Sequence, residues 1–409
     1  MPHPHEHSLP PAERLPREAL GSIYTLLPIV GIILLVLGFL VGRSNPHELA
    51  FSWLFTSQFF FTICAGSLFW ILLHHAVDAN WTVPFRRILE QVAGLFPLVA
   101  FAFLIISIFF RTHLWTWMTL NPADEPLYAH KMGYLNQPFF FFRMAFYFTF
   151  FCGAALFLRW KSIEQDSSCN PWNTLQSRKL AYPSIPLFVL CITFSGFDWV
   201  MGLDYRWYST MWGVYIFAGS VVSSMALLIL ISNALYTAGY LRKVMTIEHN
   251  HIMGKLLLAF IVFWAYISFS QYFLTWYANI PEETTFYVYR NLGAWEAVSI
   301  FIVVGHFILP FLWVLSQPAK KTRWRLCAVA AWMLFMHMVD VYWVVMPSKQ
   351  IADLTHLATF ADVLPNVCDI TTFLGLAAIF AYFFLRHFTA ASIFPAKDPR
   401  LFEAIQLKN

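Results

Sequence analysis

Two acidic residues occupy corresponding places in a short repeat, and each lies inside an apolar stretch. Ser-Gly-Phe-Asp198-Trp-Val-Met ends the fifth such stretch, and His337-Met-Val-Asp340-Val-Tyr-Trp-Val-Val-Met ends the ninth. An ionised carboxylate is costly inside a membrane, so an acid retained there usually has a function or a charged partner. Two acids at matching depth favour a duplicated helical bundle built around proton or redox chemistry.

Arg143 is the natural partner of Asp198. It lies about one turn into the fourth apolar stretch, from the same end at which Asp198 lies. A buried pair allows both side chains to remain charged. One interpretation is a structural salt bridge that fixes the helix register. The other is that these two residues form the wall of a quinone pocket and are the candidate catalytic residues.

The stretches around Asp340 carry more titratable side chains. Glu296 and His306 share a broad face of the eighth stretch, and His337 and Asp340 share a face of the ninth at i and i+3. Lys255 extends this set toward the other end of the seventh stretch. We expect the five residues to form a connected, water-assisted proton route. The alternative is that each histidine is a hydrogen-bonded structural residue.

The second apolar stretch carries a one-sided polar stripe of Thr56, Ser67, His74 and Asp78. The stripe is strongest at its end, where His75 adjoins His74, and Thr62 points well away from it at 100° per residue. We expect His74, His75 and Asp78 to form a partial proton route. In the alternative interpretation, the hydroxyls bond their own helix and the His/Asp pair caps the span.

The sequence predicts no metal centre. None of the six cysteines has the CxxC spacing of iron–sulfur or zinc sites. His306 and His337 are possible haem b ligands by residue type. However, at 1.5 Å per residue they lie roughly 21 Å and roughly 14 Å from the same expected membrane face, which argues against haem.

The composition places all these residues in a membrane protein. The chain is 59% hydrophobic and only 12% charged. A membrane-spanning helix needs about 20 apolar residues. Ten runs qualify, at 22–42, 51–76, 91–110, 138–158, 181–202, 211–240, 252–278, 292–316, 326–346 and 370–387.

These runs predict an all-α polytopic membrane protein with ten transmembrane helices. Because the repeat recurs after four spans, we expect two parallel-repeat four-helix bundles, segments 2–5 and 6–9, plus two flanking helices. The corresponding parts of the chain are a tail (1–21), flanking helix 1 (22–50), the first bundle (51–210), the second bundle (211–348), and a last part with a loop, helix 10 and the C-terminal tail (349–409).

Basic residues predict the orientation of the chain. With ten spans, 19 of the 26 Lys and Arg residues fall on the side of the termini, 6 on the other side, and Arg143 within a span. The positive-inside rule therefore predicts cytoplasmic termini in a bacterial inner membrane. The net charge of +4 reflects this topology and does not indicate nucleic-acid binding.

The remaining polar segments are short. His3, His5 and His7 lie in an N-terminal tail that we interpret as solvated, with a metal site as the alternative. The tail lacks the apolar core of a signal peptide. Asp353, Asp362 and Asp369 make the expected periplasmic face a plausible docking surface for other subunits.

One loop motif carries a family resemblance. Ser270-Gln-Tyr-Phe-Leu-Thr-Trp-Tyr-Ala-Asn-Ile-Pro-Glu-Glu-Thr284, followed by Arg290, resembles the NrfD-like membrane subunits of alternative complex III, in particular the ActF type. That complex is a bacterial quinol:cytochrome c or quinol:cupredoxin oxidoreductase. The resemblance covers nearly the whole chain.

The resemblance implies a subunit of an electron-transport complex that is not catalytic alone. Its partners would be the paralogous NrfD-like subunit, an iron–sulfur subunit and c-type cytochrome subunits, besides membrane lipid. The haem c and iron–sulfur clusters would belong to those partners. The chain itself would bind no cofactor of its own, with menaquinol or another quinone as a possible ligand here or in the paralogue.

Two rival functions remain. A secondary transporter would require broken helices that face each other, and the only support is Pro183 and Pro186 near the start of the fifth stretch. A purely structural membrane anchor would retain full turnover after its buried acids are neutralised.

Overall fold

A computed structural model of the chain describes residues 10–350 and 358–408. Within these residues the regular structure is helical, without strands. Among them, ten helices are long and apolar enough to cross a membrane, as the composition predicts. The spans are α1 (Ile23–Gly42), α2 (Pro46–Val77), α3 (Val83–Leu114), α4 (Gln137–Ser168), α5 (Trp172–Leu203), α6 (Trp212–Thr237), α7 (Ile247–Ala278), α8 (Trp295–Val314), α9 (Arg323–Lys349) and α10 (Phe360–Thr389).

Several helices extend beyond the apolar run that predicts them, because polar residues cap them. Before α2, the Asn45 side chain accepts a hydrogen bond from the Glu48 amide at 3.4 Å. Before α4, Asn136 does the same for the Phe139 amide at 3.0 Å. Each asparagine is followed by a proline in the first turn, where its missing N–H costs nothing. The asparagines and prolines therefore set where these two spans begin.

Helices α2 and α6 lie at the centre of the molecule. Helix α2 packs against α3, α5, α6 and α10, whereas α6 packs against α2, α5, α7 and α9. Helix α4 packs against α3 and α5, and α8 packs against α7 and α9. The predicted internal repeat of two four-helix units remains a prediction, although sequential helices from α1 to α9 are neighbours.

A glycine allows the two central helices to approach closely. A Cβ atom on Gly66 of α2 would lie 1.9 Å from the Ser220 carbonyl oxygen of α6. No side chain fits at that distance, so only glycine is compatible with this crossing. Small residues at helix crossings are the usual means of close packing between membrane helices.

The first and last spans pack along each other at the periphery. Helix α1 lies against α10, and α10 also contacts α2, where Phe60 stacks on Phe380 with ring centroids 4.3 Å apart. The two terminal segments meet as well, because the Ile393 amide donates to the Glu13 carbonyl at 2.8 Å. We call this end of the bundle the terminal end and the opposite one the distal end.

Two spans contain a π-helical turn, at Ile106–Phe110 in α3 and at Val303–Ile308 in α8. The prolines of α5 have no such effect, since Pro183 and Pro186 lie within one continuous helix, Trp172–Trp199. The described part of α5 therefore lacks the break that a transporter interpretation would require there. His3, His5, His7 and Asp353 lie outside the described residues.

Candidate functional site

Three titratable side chains from α8 and α9 converge in the interior. His306, His337 and Asp340 each offer a ligand-type atom, and these three atoms lie within 4.8 Å of one another. All three side chains are buried. We call this group the His–His–Asp cluster. Its two α9 members are one turn apart, as the i, i+3 spacing predicts, so the predicted convergence of these three residues is confirmed.

The π-helical turn of α8 contains His306 itself. Its imidazole stacks on Trp264 of α7, with ring centroids 3.7 Å apart and an interplanar angle of 24°. Neither ring nitrogen has a hydrogen-bond partner in the described part of the chain. Such π-turns are frequent at functional sites because they change the direction in which a side chain points.

Residues of the central helices complete the cluster. Thr62 of α2 shares a hydrogen bond with His337 Nε2 at 2.8 Å. The Tyr215 hydroxyl of α6 donates to Asp340 Oδ1. Gly219 lies beside them, where a Cβ atom would be 3.1 Å from His337 Cε1. The cluster therefore lies where α2 and α6 meet α8 and α9, and sequence reasoning missed all three of these added residues.

A small cavity adjoins the cluster. Its volume is about 10 Å³, and its lining includes Gln58, Thr62, Tyr215, His337 and Asp340. That volume accommodates about one water molecule. Gln58 is buried, and neither its amide oxygen nor its amide nitrogen has a partner among the described residues. A water molecule or another polar ligand in the cavity could form hydrogen bonds with the Gln58 amide.

Two predicted members lie outside the cluster. The side chain of Glu296 is exposed, and it lines a surface cavity of about 450 Å³ together with Gly293, Ala297 and Thr359. Lys255 is also exposed. Glu296 and Lys255 therefore lie outside the buried cluster, and their predicted water-assisted connection to it stays a prediction. A helical face that carries polar residues can be oriented outward as well as inward.

His306 and His337 do not differ in depth as the sequence predicts. Helix α8 begins at Trp295 and span α9 extends to Lys349, so His306 and His337 lie about 17 Å and about 18 Å from the distal ends of their helices. The predicted mismatch came from misplaced helix ends. The adjoining cavity nevertheless has the size of a single water, which is far too small for a porphyrin.

The predicted pair of Arg143 and Asp198 is confirmed. Arg143 donates to both carboxylate oxygens, from Nε at 2.8 Å and from Nη2 at 2.7 Å. Tyr147 donates to the same carboxylate at 2.9 Å, and Arg143 Nη1 donates to the Tyr134 carbonyl at 3.0 Å. Every guanidinium nitrogen thus already has a protein acceptor. This arrangement favours the salt-bridge interpretation over a direct bond to a quinone.

The polar stripe of α2 divides into two parts. Thr56 and Ser67 each donate to a carbonyl of their own helix at 2.8 Å, as the alternative interpretation predicts. His74 is buried and bonds to Thr82 through Nδ1 and to Arg86 through Nε2, the latter at 2.9 Å. His75 packs edge-on against His74, with ring centroids 4.8 Å apart. The hydroxyls therefore do not connect the histidines to the cluster.

Asp78 caps the terminal end of α2. It has a left-handed backbone, with φ at 54°, and its carboxylate pairs with Arg178 and with Arg400, the latter at 2.8 Å. Burial opposes its ionisation, but the two guanidiniums outweigh burial and hold the pKa of Asp78 below its ordinary value. Its geometry fits the capping interpretation.

A buried charge cluster near His74 was not predicted. Arg86 and Arg87 lie inside α3, whose first residue is Val83, and not in a loop as the predicted run 91–110 implies. Arg86 pairs with Glu90 at 2.9 Å and with Asp398 of the C-terminal segment at 2.6 Å. The i, i+4 spacing of Arg86 and Glu90 was a usable signal. The contribution of Asp398, more than 300 residues away, was not foreseeable from the sequence.

We expect Asp398→Asn to release the C-terminal segment and to lower thermal stability. Removing one partner of a buried pair costs up to about 3–5 kcal/mol, and Glu90 offsets part of this. Burial raises the pKa of Asp398, but Arg86 outweighs burial and lowers it overall. The stabilisation is therefore complete above the ordinary aspartate pKa of about 3.9 and is lost as pH falls below it. Thermal unfolding followed by tryptophan fluorescence, with limited proteolysis of the C-terminal segment, measures both effects.

Glu403→Gln is the matched control, because Glu403 pairs with Arg400 on the same segment but is exposed. Equal stability of the two variants would contradict a stabilising role for the Arg86–Asp398 pair.

Two of the acids expected to form a docking surface, Asp362 and Asp369, have local roles. Asp362 accepts hydrogen bonds from the Thr359 amide and hydroxyl. Asp369 is buried and accepts hydrogen bonds from the Asn366 amide at 3.1 Å and from Ser52 at 2.5 Å. Asp369 is therefore unavailable to a partner.

Comparisons with known proteins identify no matching family model and no curated protein that resembles the chain.

Proposed function

We propose that the chain is an integral membrane subunit of a quinol:cytochrome c or quinol:cupredoxin oxidoreductase in the bacterial inner membrane, with both termini in the cytoplasm. In this role its buried polar residues conduct protons that quinol oxidation releases. Complex membership rests on the resemblance of the 270–290 segment to NrfD-like subunits. The single structural observation that supports proton conduction is the buried His–His–Asp cluster, with its hydrogen bonds to Thr62 and Tyr215.

The chemistry divides between the chain and its partners. Oxidation of a quinol releases two electrons and two protons, and the electrons need a redox cofactor. The sequence contains no recognisable iron–sulfur or c-haem motif, so the electrons pass to the iron–sulfur and cytochrome partners. The protons need titratable groups with hydrogen-bond contact. Asp340 and His337 are such groups, and His306 is a titratable group close to both. The hydroxyls of Thr62 and Tyr215 can each donate and accept a proton.

The route is shorter than the sequence predicts. Lys255 and Glu296 are exposed, so the buried part runs from the cluster toward α2 through Thr62 and the cavity beside Gln58. A water molecule in that cavity would connect Gln58 with Asp340. His74 and His75 form a separate group at the terminal end, which a second water-filled path would have to join to the cluster.

Purification of the complex from native membranes tests the proposal. The full chain with an affinity tag after residue 409 should copurify with c-type haem, detected by its reduced-minus-oxidised spectrum, and the preparation should oxidise menaquinol with cytochrome c or a cupredoxin as acceptor. A chain that purifies without haem-containing partners would contradict complex membership. A haem-containing complex that fails to oxidise quinol would contradict the proposed reaction.

A further inference from the structure

The two repeated acids differ in how their negative charge is balanced. Asp198 has the guanidinium of Arg143 within 2.8 Å. In the described part of the chain, no lysine or arginine forms an ion pair with Asp340, whose hydrogen-bond donor is the neutral hydroxyl of Tyr215. A carboxylate buried without a cation is very costly in a membrane. Asp340 must therefore be protonated or must share its site with a cation.

The neighbours of Asp340 are ligands for one class of cation. Two imidazoles and a carboxylate are the nitrogen and oxygen donors that Zn²⁺ and related divalent transition metals prefer. Their ligand atoms lie within 4.8 Å of one another. In a tetrahedral zinc site, with bonds of about 2.0–2.2 Å, ligand atoms are about 3.3 Å apart. Coordination would therefore require the ligand atoms to approach one another by about 1.5 Å at most.

The imidazole nitrogens give an independent indication. Both nitrogens of His306 and Nδ1 of His337 are buried without a hydrogen-bond partner among the described residues. Each such group costs free energy unless a ligand satisfies it. The remaining nitrogen of His337, Nε2, shares a hydrogen bond with Thr62. A second bond of this kind typically fixes the orientation and tautomer of a metal-binding histidine.

The surroundings also leave room for a fourth ligand. The adjoining cavity holds about one water, and the amide oxygen of Gln58 faces no partner among the described residues. The absence of a side chain at Gly219 keeps the space beside His337 open, because a Cβ atom there would lie 3.3 Å from His337 Nδ1. A water or the Gln58 oxygen can therefore complete a four-coordinate site.

We propose that His306, His337 and Asp340 bind one divalent transition-metal ion, with Zn²⁺ as the ion that best fits the donors. The ion balances the charge of Asp340 and satisfies the unpartnered imidazoles. Because the ligands are buried, the ion enters while the helices assemble and exchanges slowly afterwards. This inference does not depend on membership in an oxidoreductase complex. Metal-bound His306, His337 and Asp340 would not exchange protons, so the metal site is an alternative to proton conduction through these three side chains.

The test measures metal content in the full chain purified from cells grown with added Zn²⁺. The starting protein carries His3, His5 and His7 replaced by alanine, which removes the histidines of the tail as adventitious ligands. After an EDTA wash, elemental analysis should find about one zinc per chain. Asp340→Asn and His306→Phe should each retain less than about a tenth of that amount, since each removes one of the three proposed ligands. His130→Gln, which alters an exposed histidine, should retain it fully.

Growth with Co²⁺ in place of Zn²⁺ provides a second measurement on the unaltered cluster. A four-coordinate Co²⁺ site with nitrogen and oxygen donors gives visible d–d absorption without thiolate charge-transfer bands. Absence of tightly held metal from the starting protein would overturn the proposal, whatever the variants do. Thiolate charge-transfer bands, or full zinc retention in folded Asp340→Asn, would overturn it as well. None of these readouts involves quinol turnover, so failure here is distinguishable from failure of the proposed function.

Discussion

Asp340→Asn should reduce quinol oxidation per assembled complex by about tenfold or more, together with the proton release coupled to it. Positioned acid–base groups accelerate proton-transfer steps by about 100-fold to 10,000-fold. Turnover should therefore fall strongly even if proton transfer through Asp340 limits it only in part. Asparagine has the size of aspartate and can still accept the Tyr215 hydrogen bond, but it cannot exchange a proton. Turnover should be normalised to the haem content of the purified complex, with proton release followed by a pH-sensitive dye.

Glu296→Gln is the control for this result. Glu296 is an acid of a neighbouring helix, but its side chain is exposed, so its removal should leave turnover unchanged. Thr62→Val should give an intermediate loss, because it removes the hydrogen bond to His337 but no titratable group. If Asp340→Asn lowers only the amount of complex and leaves turnover per complex intact, the chain is a structural anchor.

Arg143→Leu is expected to cost about 3–5 kcal/mol of stability, because it leaves the Asp198 carboxylate buried without its cation. The remaining Tyr147 hydrogen bond cannot neutralise that charge. The double variant Arg143→Leu/Asp198→Leu should recover most of the loss, since an apolar pair of similar volume often replaces a buried ion pair without penalty. Thermal unfolding followed by tryptophan fluorescence ranks the stability of the unaltered protein, Arg143→Leu and the double variant.

Arg178→Met serves as the comparison for this series. Arg178 pairs with Asp78 at the surface, and Asp78 retains Arg400 when Arg178 is removed. Exposed pairs contribute about 0–1 kcal/mol, so the change should be small. A stable Arg143→Leu protein would argue against a structural salt bridge and would revive the pocket interpretation. If the double variant does not recover the stability lost in Arg143→Leu, the two charges are specifically required.

The sequence predicts the spans and the Arg143–Asp198 pair for the same reason. Both depend on depth in the membrane, which the chain encodes directly through the length of its apolar runs. The exposure of Glu296 was not predictable in this way. In a membrane, apolar residues line both the lipid-facing and the core-facing sides of a helix, so hydrophobic periodicity does not show which side faces inward.

The partners of the cluster were missed for a related reason. A helical wheel correctly separates Thr62 from the Thr56 stripe but does not indicate which helix Thr62 faces. Thr62 bonds to His337 of α9, whereas Gly66, one turn further along α2, lies against Ser220 of α6. These contacts depend on how distant helices pack, which the sequence of α2 alone does not show. The π-turn in α8 changes the helical face on which His306 and the residues after it lie. A helical wheel with 3.6 residues per turn does not include this shift.

The pairing of α1 with α10, and of Arg86 with Asp398, has a consequence for biosynthesis. Each contact joins parts of the chain that the ribosome makes at opposite times, and the last helix emerges only after nine others are in the membrane. Until then α1 has lipid in place of its partner, and Arg86 lacks Asp398 and keeps Glu90 as its acidic partner. A truncated chain can insert its spans but cannot complete this charge balance. The charge balance at Arg86 therefore closes only when the full-length chain has been made, so the contact links completion of synthesis to completion of the fold.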